Sequence, residues 1–324
     1  MKIIIINASF ISHPIMKITF LGTAAAEAYP GLWCNCHNCM RARKLGGRNL
    51  RWRSSVLIND DLLVDYGPDT SAQFTRYGLE LPRVENILFT HCHGDHLRMQ
   101  DVFFRSYSYR QRGTLNMTRV WGDAWAIRAF DDQVYSVLND EFSRNMPGFT
   151  PSREEVLEEK EGFLKIQTSI IKPHQKIEIG KYTVFTINAH HNEPEESLNF
   201  IIDDGKKKFL YGTDTGPWEP SEWDYIESLG FKFDVVAMDC TVGDGNPGGH
   251  HSYTSFLEEK NQFGSLNLLA KNSIFIAHHF SHQHGMIYND LVDYMKPHNV
   301  IVSYDGLIIE DQGHTWKLNT LNSK

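Results

Sequence analysis

Five apolar, strand-like segments of this 324-residue chain are each followed at once by histidine or aspartate. The residues that follow them are His91, His190-His191, Asp214, Asp239 and His278-His279. In layered α/β folds, ligands bind outside the carboxyl ends of the strands. One such strand end carries little information, but five predict that distant segments bring imidazole and carboxylate groups to one place. The pattern therefore favours an α/β fold with a single functional edge.

The densest group of candidate ligands is the stretch FTHCHGDHL, residues 89–97. Its pattern is H-x-H-x-D-H, formed by His91, His93, Asp95 and His96. Alternate residues of an extended segment point the same way, so His91 and His93 can bind one ion. Asp95 and His96 follow a turn and can bind a second ion. Imidazole suits zinc, iron and manganese, and carboxylate shifts the preference towards harder ions.

Later residues can complete both groups. His191 can join the first ion and His279 the second, with Asp214 bridging the two. Two metal ions about 3.5–4 Å apart that share a hydroxide are typical of hydrolytic centres. The sequence therefore predicts two divalent ions in the active site, which we expect to be zinc, manganese or iron.

Three of the five cysteines lie within six residues, at Cys34, Cys36 and Cys39. An odd number of cysteines with this clustering is a poor disulfide framework. Thiolates at this spacing can reach one tetrahedral zinc at about 2.3 Å each, so residues 34–39 are interpreted as a zinc knuckle with a fourth ligand from elsewhere. The alternative is a loop with free thiols. We expect Cys92 to be inert and Cys240 to lie in the core.

The formal net charge of -8 argues against a general nucleic-acid coat, which needs a basic surface. One local basic segment, MRARKLGGRNLRWR at residues 40–53, is interpreted as a solvated helix and loop, with phosphate steering as the alternative. The chain shows no apolar run long enough to span a membrane, and the expected compartment is the cytoplasm.

A second Met-Lys-Ile begins at Met16, so residues 1–15 are interpreted as an N-terminal extension and residues 16–324 as a single domain. Residues 105–165 are predicted to be a helical insertion. The pattern predicts a hairpin around residues 55–65, and helices over about 101–142 and 152–163. The dipeptide Asp305-Gly306 between apolar runs predicts a second hairpin.

The order of these ligands resembles that of the metallo-β-lactamase superfamily: H-x-H-x-D-H, a later histidine, an aspartate within T-D-T, and a last histidine after a strand. The resemblance covers nearly the whole chain from Met16. It implies an αββα sandwich of two mixed β-sheets flanked by helices.

Within the superfamily, the chain is similar to the cyclic phosphoribosyl phosphodiesterases of phosphonate degradation, which carry the same C-x-C-x-x-C knuckle. Their S-H-Q motif matches Ser281-His282-Gln283, which implies that His282 is the fourth ligand of a structural zinc. The resemblance also implies that His251 lies over the substrate and donates a proton. Asp95 and His251 are the predicted catalytic residues. The front end, residues 20–39, resembles pyrroloquinoline quinone biosynthesis protein B.

Three predictions choose between adjacent histidines. The family spacing favours His191 over His190, the following serine favours His251 over His250, and the S-H-Q anchor favours His279 over His278. Each rejected histidine is assigned a surface or supporting role. Asp65 is expected to orient a ligand histidine. Asp239 either does the same or acts on the substrate.

The sequence thus predicts a binuclear metal-dependent hydrolase that acts on a small phosphodiester, possibly a cyclic one, through a metal-bridging hydroxide. One alternative is another hydrolytic activity, on a lactone, a thioester or an RNA 3′ end. The other is a non-catalytic protein of cofactor biosynthesis. The expected partner is the small-molecule substrate, without nucleic acid or membrane; a homodimer is compatible with the family.

Overall fold

The computed structural model describes residues 16–105, 115–145, 152–283 and 285–322. Residues 1–15, which the sequence predicts to be an extension, lie outside the described residues. The strands are β1 (Lys17–Gly22), β2 (Ser55–Ile58), β3 (Leu62–Val64), β4 (Asn86–Leu88), β5 (Thr118–Gly122), β6 (Ile166–Ile170), β7 (Lys176–Ile179), β8 (Tyr182–Asn188), β9 (Leu198–Asp203), β10 (Lys208–Gly212), β11 (Phe233–Asp239), β12 (Leu269–His278), β13 (Ile301–Val302), β14 (Leu307–Asp311) and β15 (Trp316–Thr320).

The helices are α1 (His37–Leu45), α2 (Thr70–Tyr77), α3 (Ala124–Asn145), α4 (Arg153–Glu159), α5 (Pro220–Ser228), α6 (Tyr253–Ser265) and α7 (Tyr288–Met295). Local chemistry sets several of their ends. Ser252 caps α6 by accepting a hydrogen bond from the backbone N–H of Ser255, and Gly78 ends α2 in the left-handed conformation. No described helix is both long and apolar enough to cross a bilayer.

The strands form two mixed sheets. One has the order β15-β14-β1-β2-β3-β4-β5-β6 and the other the order β13-β12-β11-β10-β9-β8-β7. Apolar side chains from both, such as Phe20 and Val64 from the first and Phe200 and Ile276 from the second, pack in one buried cluster. The sheets therefore lie face to face around a shared core.

Helices cover the two outer faces. Phe130 of α3 packs with Leu63 on the outside of the first sheet, and Phe256 of α6 packs with Val236 on the outside of the second. This arrangement is the predicted αββα sandwich.

Two local predictions are wrong. Residues 118–122, predicted to be helical, form β5, which pairs in parallel with both β4 and β6. The runs on either side of Asp305-Gly306 do not form a hairpin, because β13 belongs to one sheet and β14 to the other. Here the chain crosses between the sheets, and the turn signal alone does not reveal this. The remaining strand and helix predictions used for the site, including the β2–β3 hairpin, are confirmed.

Strand direction explains where the site lies. β10, β11 and β12 are parallel, so their carboxyl ends meet at one edge of the second sheet. β3 and β4 are parallel in the first sheet. The backbone N–H of Leu198 donates to the carbonyl of Thr90 at 2.7 Å, which joins the two sheets at this edge.

Candidate metal centre

The candidate ligands from the separate strand ends converge. The His91 ring centroid lies 4.5 Å from that of His93 and 4.8 Å from that of His191. The Nε2 atom of His191 lies 3.3 Å from Nδ1 of His93. Single ligand atoms of these three residues all lie within 4.8 Å of one another, so the three form a group that can hold one cation.

A second group contains Asp95, His96 and His279, with their ligand atoms again within 4.8 Å of one another. Asp214 lies between the two groups. Its Oδ2 atom is 3.0 Å from Nε2 of His96 and 3.2 Å from Nε2 of His279, and its Oδ1 atom is 3.8 Å from Nε2 of His191. One carboxylate thus faces both groups, which is the geometry expected of a bridging ligand.

The hydrogen bonding of the rings tests whether cations fit. The buried Nε2 atoms of His91, His96 and His279 have no hydrogen-bond partner. Buried polar atoms are otherwise almost always satisfied, so three unpartnered nitrogens directed at the same carboxylate need an explanation. A divalent cation supplies it, because neutral imidazole binds metals through such a lone pair. The donor set fits two divalent ions.

The opposite nitrogen of each ring is held by the protein. Nδ1 of His96 donates to Asp65 at 2.7 Å, and Nδ1 of His279 lies 2.7 Å from Oγ1 of Thr241. Nδ1 of His191 donates to the carbonyl of Gly249 at 3.0 Å. Such contacts fix which ring nitrogen is available and how the ring is oriented. A Cβ at Gly249 would lie 2.8 Å from the carbonyl oxygen of His191, so this close approach requires glycine.

Asp65 offers a test of this positioning. We expect Asp65→Ala to weaken metal binding at the centre by about 10–100-fold, the usual effect of removing a partner of a metal-bound histidine. The measurement is a competitive titration of zinc against a chelator, with Asp61→Ala as the control because Asp61 pairs with Lys181 at the surface. Equal zinc affinity in the two variants would contradict the assigned role of Asp65.

The backbone at the site is in an uncommon conformation. Asp65, Asp214 and His279 have positive φ angles of 63°, 50° and 62°. Non-glycine residues rarely adopt this region, and such strain is concentrated at functional sites. In each case the turn comes directly after or within two residues of a strand end.

Charges within the site shift the pKa values of its groups. Burial opposes ionisation of Asp214, but the charges of His279 and His96 hold its pKa well below the usual range. Burial likewise opposes protonation of His96, yet Asp214 and Asp95 raise its pKa well above the usual value. Burial lowers the pKa of His91, and neighbouring His96 adds to the effect.

The site opens into a cavity of about 360 Å³. Its wall includes His93, Asp95, His191, Asp214 and His279 from the candidate centre. Ala25, Ala26 and Glu27 of the loop after β1 line it as well, as do Ser281 and Gln283. Glu27 accepts a hydrogen bond from Ser281, and its Oε1 lies 3.6 Å from Nε2 of His282. His282 is the predicted fourth ligand of the loop at residues 34–39, called the cysteine loop below, so this contact connects the cavity wall to that loop.

The structure places His250, rather than the predicted His251, in the lining of the cavity. His250 lines the cavity, and its Nδ1 donates to Asp239 at 2.8 Å. Burial lowers the pKa of His250, but Asp239 outweighs this and raises it to about 9. His251 is fully buried with Nδ1 3.0 Å from Oγ of Ser255, because it immediately precedes the helix cap of α6. The sequence motif does not decide between them, because His250 and His251 are adjacent.

The other two rejected histidines lie outside the centre. His190 is exposed, with Nδ1 3.1 Å from the carbonyl of Pro217. His278 is buried in the core rather than at the surface, and its ring nitrogens lie near the hydroxyls of Tyr211 and Ser303. Asp239 accepts hydrogen bonds from His250 and from Thr241, which holds His279. Thr241 is not among the site residues predicted from the sequence.

The cysteine loop forms a second candidate site. Ligand atoms of Cys34, Cys36, Cys39 and His282 lie within 4.8 Å of one another. Tetrahedral zinc with Zn–S bonds of about 2.3 Å and Zn–N bonds of about 2.0–2.1 Å would hold sulfur and nitrogen about 3.6 Å apart. Sγ of Cys36 lies 3.8 Å from Nδ1 of His282, close to that separation. Gly31 is needed here, because a Cβ would lie 2.7 Å from the His282 ring.

The thiols of this loop are polarised by backbone N–H groups. The N–H of Cys39 donates to Sγ of Cys36 at 3.4 Å, and the N–H of Gly31 donates to Sγ of Cys39 at 3.3 Å. Burial opposes ionisation of Cys36, but its hydrogen bonds with Cys39 and His282 lower its pKa to about 6. Burial raises the pKa of Cys39 to about 12. Zinc binding would remove the Cys39 proton.

Among the described residues, Cys92 and Cys240 belong to neither group of candidate ligands, although Cys92 lies between His91 and His93 in the chain. The backbone N–H of Cys92 donates to Glu195 at 2.6 Å, and its thiol donates to the same carboxylate at 3.3 Å. Cys240 is 1% exposed and packs in the core of the second sheet.

A family model and several solved structures are similar to this chain. The family model of the Beta-lactamase superfamily domain matches residues 61–279. The structure is similar to a diphosphatase from the PhnP family, with a TM-score of 0.65 and 19% identity over 92% of this chain and 98% of that chain. No match was found among curated proteins.

Two further solved structures are similar. Zinc-bound PqqB from Methylobacterium extorquens has a TM-score of 0.63 and 14% identity, covering 90% of this chain and 99% of that one. The short form of human tRNase Z has a TM-score of 0.55 and 17% identity, covering 90% and 98%. Because the family match spans more than half of the chain, from residue 61 to His279, this chain belongs to the metallo-β-lactamase superfamily of hydrolases.

Proposed function

We propose that this chain is a binuclear metal-dependent phosphodiesterase that acts on a small phosphodiester. The observation that carries the proposal is the position of Asp214, whose two carboxylate oxygens face two separate groups of histidines. A single cation would need only one such group. When bound, a pair of divalent cations activates water for attack and neutralises charge on phosphoryl oxygens.

The protein groups have distinct tasks in this reaction. Thr90, Asp65, Thr241 and the Gly249 carbonyl fix the ring nitrogens, so the centre does not need to reorganise as charge develops. The cavity of about 360 Å³ lies near the lower end of the roughly 300–1,000 Å³ typical of small-molecule sites, which favours a small substrate.

His250 is suited to donate a proton to the leaving alkoxide. It lines the cavity, its Nδ1 is held by Asp239, and its ring stacks on that of His279 with centroids 5.5 Å apart. The anchored Nδ1 leaves Nε2 as the nitrogen that can serve a ligand. The same role was predicted for its neighbour His251, which is fully buried and is not among the residues that line the cavity.

We therefore expect His250→Ala to lower kcat by about 10²–10⁴-fold, the usual contribution of a general acid. Metal content, measured by mass spectrometry, should not change. His190→Ala is the matched control, because the His190 side chain is exposed and, in the described part of the chain, its ring contacts only the Pro217 carbonyl by hydrogen bonding. Loss of a metal ion from His250→Ala would show that His250 is a ligand rather than a proton donor.

The substrate class is tested with a panel on one enzyme preparation. Bis-p-nitrophenyl phosphate and cyclic phosphodiesters are compared with a lactone, a thioester and a β-lactam. The proposal predicts that kcat/KM is highest for a phosphodiester and that Asp214→Asn removes this activity. A higher kcat/KM for a lactone or thioester would establish the alternative hydrolytic activity. No turnover of any member would favour a non-catalytic role in cofactor biosynthesis.

A further inference from the structure

A second cavity, of about 600 Å³, lies beside the loop that follows β1. This loop contributes to both cavities: Ala25–Glu27 line the metal-site cavity, and Ala28–Pro30 line the second. The second cavity is completed by residues 47–52, by the end of α2, and by residues around Tyr304 and Leu321. None of the candidate metal ligands lines it.

The wall of this cavity carries an excess of positive charge. Its charged lining residues are Arg43, Arg48, Arg51, Arg76 and Asp305. Asp305 is the only acid among them, and burial raises its pKa to about 7, although its neighbour Arg51 favours ionisation. The chain as a whole has a net charge of -8, so this local excess is opposite to the overall balance. This local charge favours an anionic ligand.

Most arginines of the basic segment at residues 40–53 support the fold. Arg53 pairs with Asp69 at 3.0 Å, and Arg41 pairs with Asp290 at 2.9 Å. Arg43 donates to the carbonyls of Gly31 and Cys34 in the cysteine loop. Arg51 is buried and donates to the Ser303 carbonyl and to Thr23.

Arg48 differs from these. It is exposed, and its guanidinium lies 3.7 Å from the centroid of the Tyr304 ring. Its Nη1 donates to the hydroxyl of Tyr288 at 3.0 Å. Stacking and one hydrogen bond fix the guanidinium plane, and its remaining donors can serve a bidentate acceptor such as phosphate.

Aromatic side chains also line this cavity. Trp52 and Tyr77 form an edge-to-face pair with centroids 6.0 Å apart, and the guanidinium of Arg76 lies 5.4 Å from the Trp52 ring. Tyr29 and Leu50 add further apolar wall. Aromatic rings beside cationic groups are the surfaces on which nucleobases stack while a phosphate is neutralised.

We propose that this cavity binds a mononucleotide, with its phosphate on Arg48 and its base against the Trp52–Tyr77 wall. A bare inorganic anion would leave the aromatic wall unused, and an uncharged aromatic ligand would leave the arginines unused. The volume of about 600 Å³ falls in the usual range of about 300–1,000 Å³ for small-molecule sites. The proposal does not depend on the reaction at the metal centre.

The test is calorimetric titration of the zinc-loaded, full-length chain with AMP. We expect binding of AMP that Arg48→Ala weakens about 10–100-fold, the effect of losing a charge-assisted hydrogen bond. Arg48→Lys should lose less affinity for AMP, because lysine keeps the positive charge but cannot donate two parallel hydrogen bonds to one phosphate. Arg128→Ala on α3, another exposed arginine, should bind AMP as the wild type does. Adenosine and inorganic phosphate should each bind more weakly than AMP.

Asp214→Asn separates this cavity from the metal centre. We expect it to bind AMP with unchanged affinity. Loss of AMP binding in Asp214→Asn with no effect in the Arg48 variants would place the nucleotide at the metal centre and overturn the proposal. Absence of AMP binding at millimolar concentration would overturn it too, as would Arg48-dependent binding of a single-stranded tetranucleotide without binding of AMP.

Discussion

Asp214→Asn is expected to lower kcat/KM for a phosphodiester by about three orders of magnitude while the protein stays folded. Metal-ion stabilisation of a transition state is worth several kcal/mol, and each 1.36 kcal/mol corresponds to tenfold in rate. Asp214 faces both histidine groups, so its loss as a charged ligand affects both cations. Asparagine is the appropriate replacement, because Asp214 has a φ of 50° and asparagine tolerates that conformation.

The measurement combines steady-state kinetics, circular dichroism and metal analysis. Asp203→Asn serves as the control: Asp203 ends β9, which runs antiparallel to β10, and pairs with Lys208 at 3.2 Å at the opposite edge of the sheet. We expect the control to retain wild-type activity and metal content. If Asp214→Asn keeps both its metal ions and its activity, a bridging role for this carboxylate is wrong.

Cys36→Ala is expected to lower the free energy of unfolding by about 4 kcal/mol or more, since loss of a structural metal belongs to the small class of severe single changes. The proposed zinc joins the loop after β1 to the segment after β12 through His282. These segments also contact each other through Ala25, whose N–H donates to the Phe280 carbonyl at 3.0 Å. Zinc binding by such a site contributes directly to folding.

Thermal unfolding with and without added zinc measures this effect. We expect a melting temperature lower by about 5–10 °C in Cys36→Ala and the loss of one zinc per chain. Cys92→Ser is the control, because its hydroxyl can still donate to Glu195. Equal zinc content and stability in Cys36→Ala and wild type would mean that the cysteine loop is not a zinc site.

Much of the site could be predicted because strand direction converts sequence order into position. An apolar run followed by His91, Asp214 or His279 places that side chain at a sheet edge regardless of the details of packing. The cysteine spacing is informative for a similar reason, since one short loop supplies three of the four ligand atoms.

Features that depend on tertiary contacts could not be predicted from the sequence. Whether His250 or His251 enters the cavity depends on how the chain turns into α6, where Ser255 holds the His251 ring. The run at residues 301–309 carries a hairpin signal, but its halves pair with β12 and β1 in different sheets. The positive φ angles of Asp65, Asp214 and His279 are imposed by the surrounding structure. The residue types at these positions are not sufficient to predict such angles from the sequence.

Anomalous diffraction at the zinc edge from crystals of the zinc-loaded protein tests the central claim most directly. We predict two peaks about 3.5–4 Å apart, one beside His91, His93 and His191 and one beside Asp95, His96 and His279. Asp214 should lie between them, and a third peak should lie at the cysteine loop. A single peak at the cysteine loop, with none beside Asp214, would contradict the account.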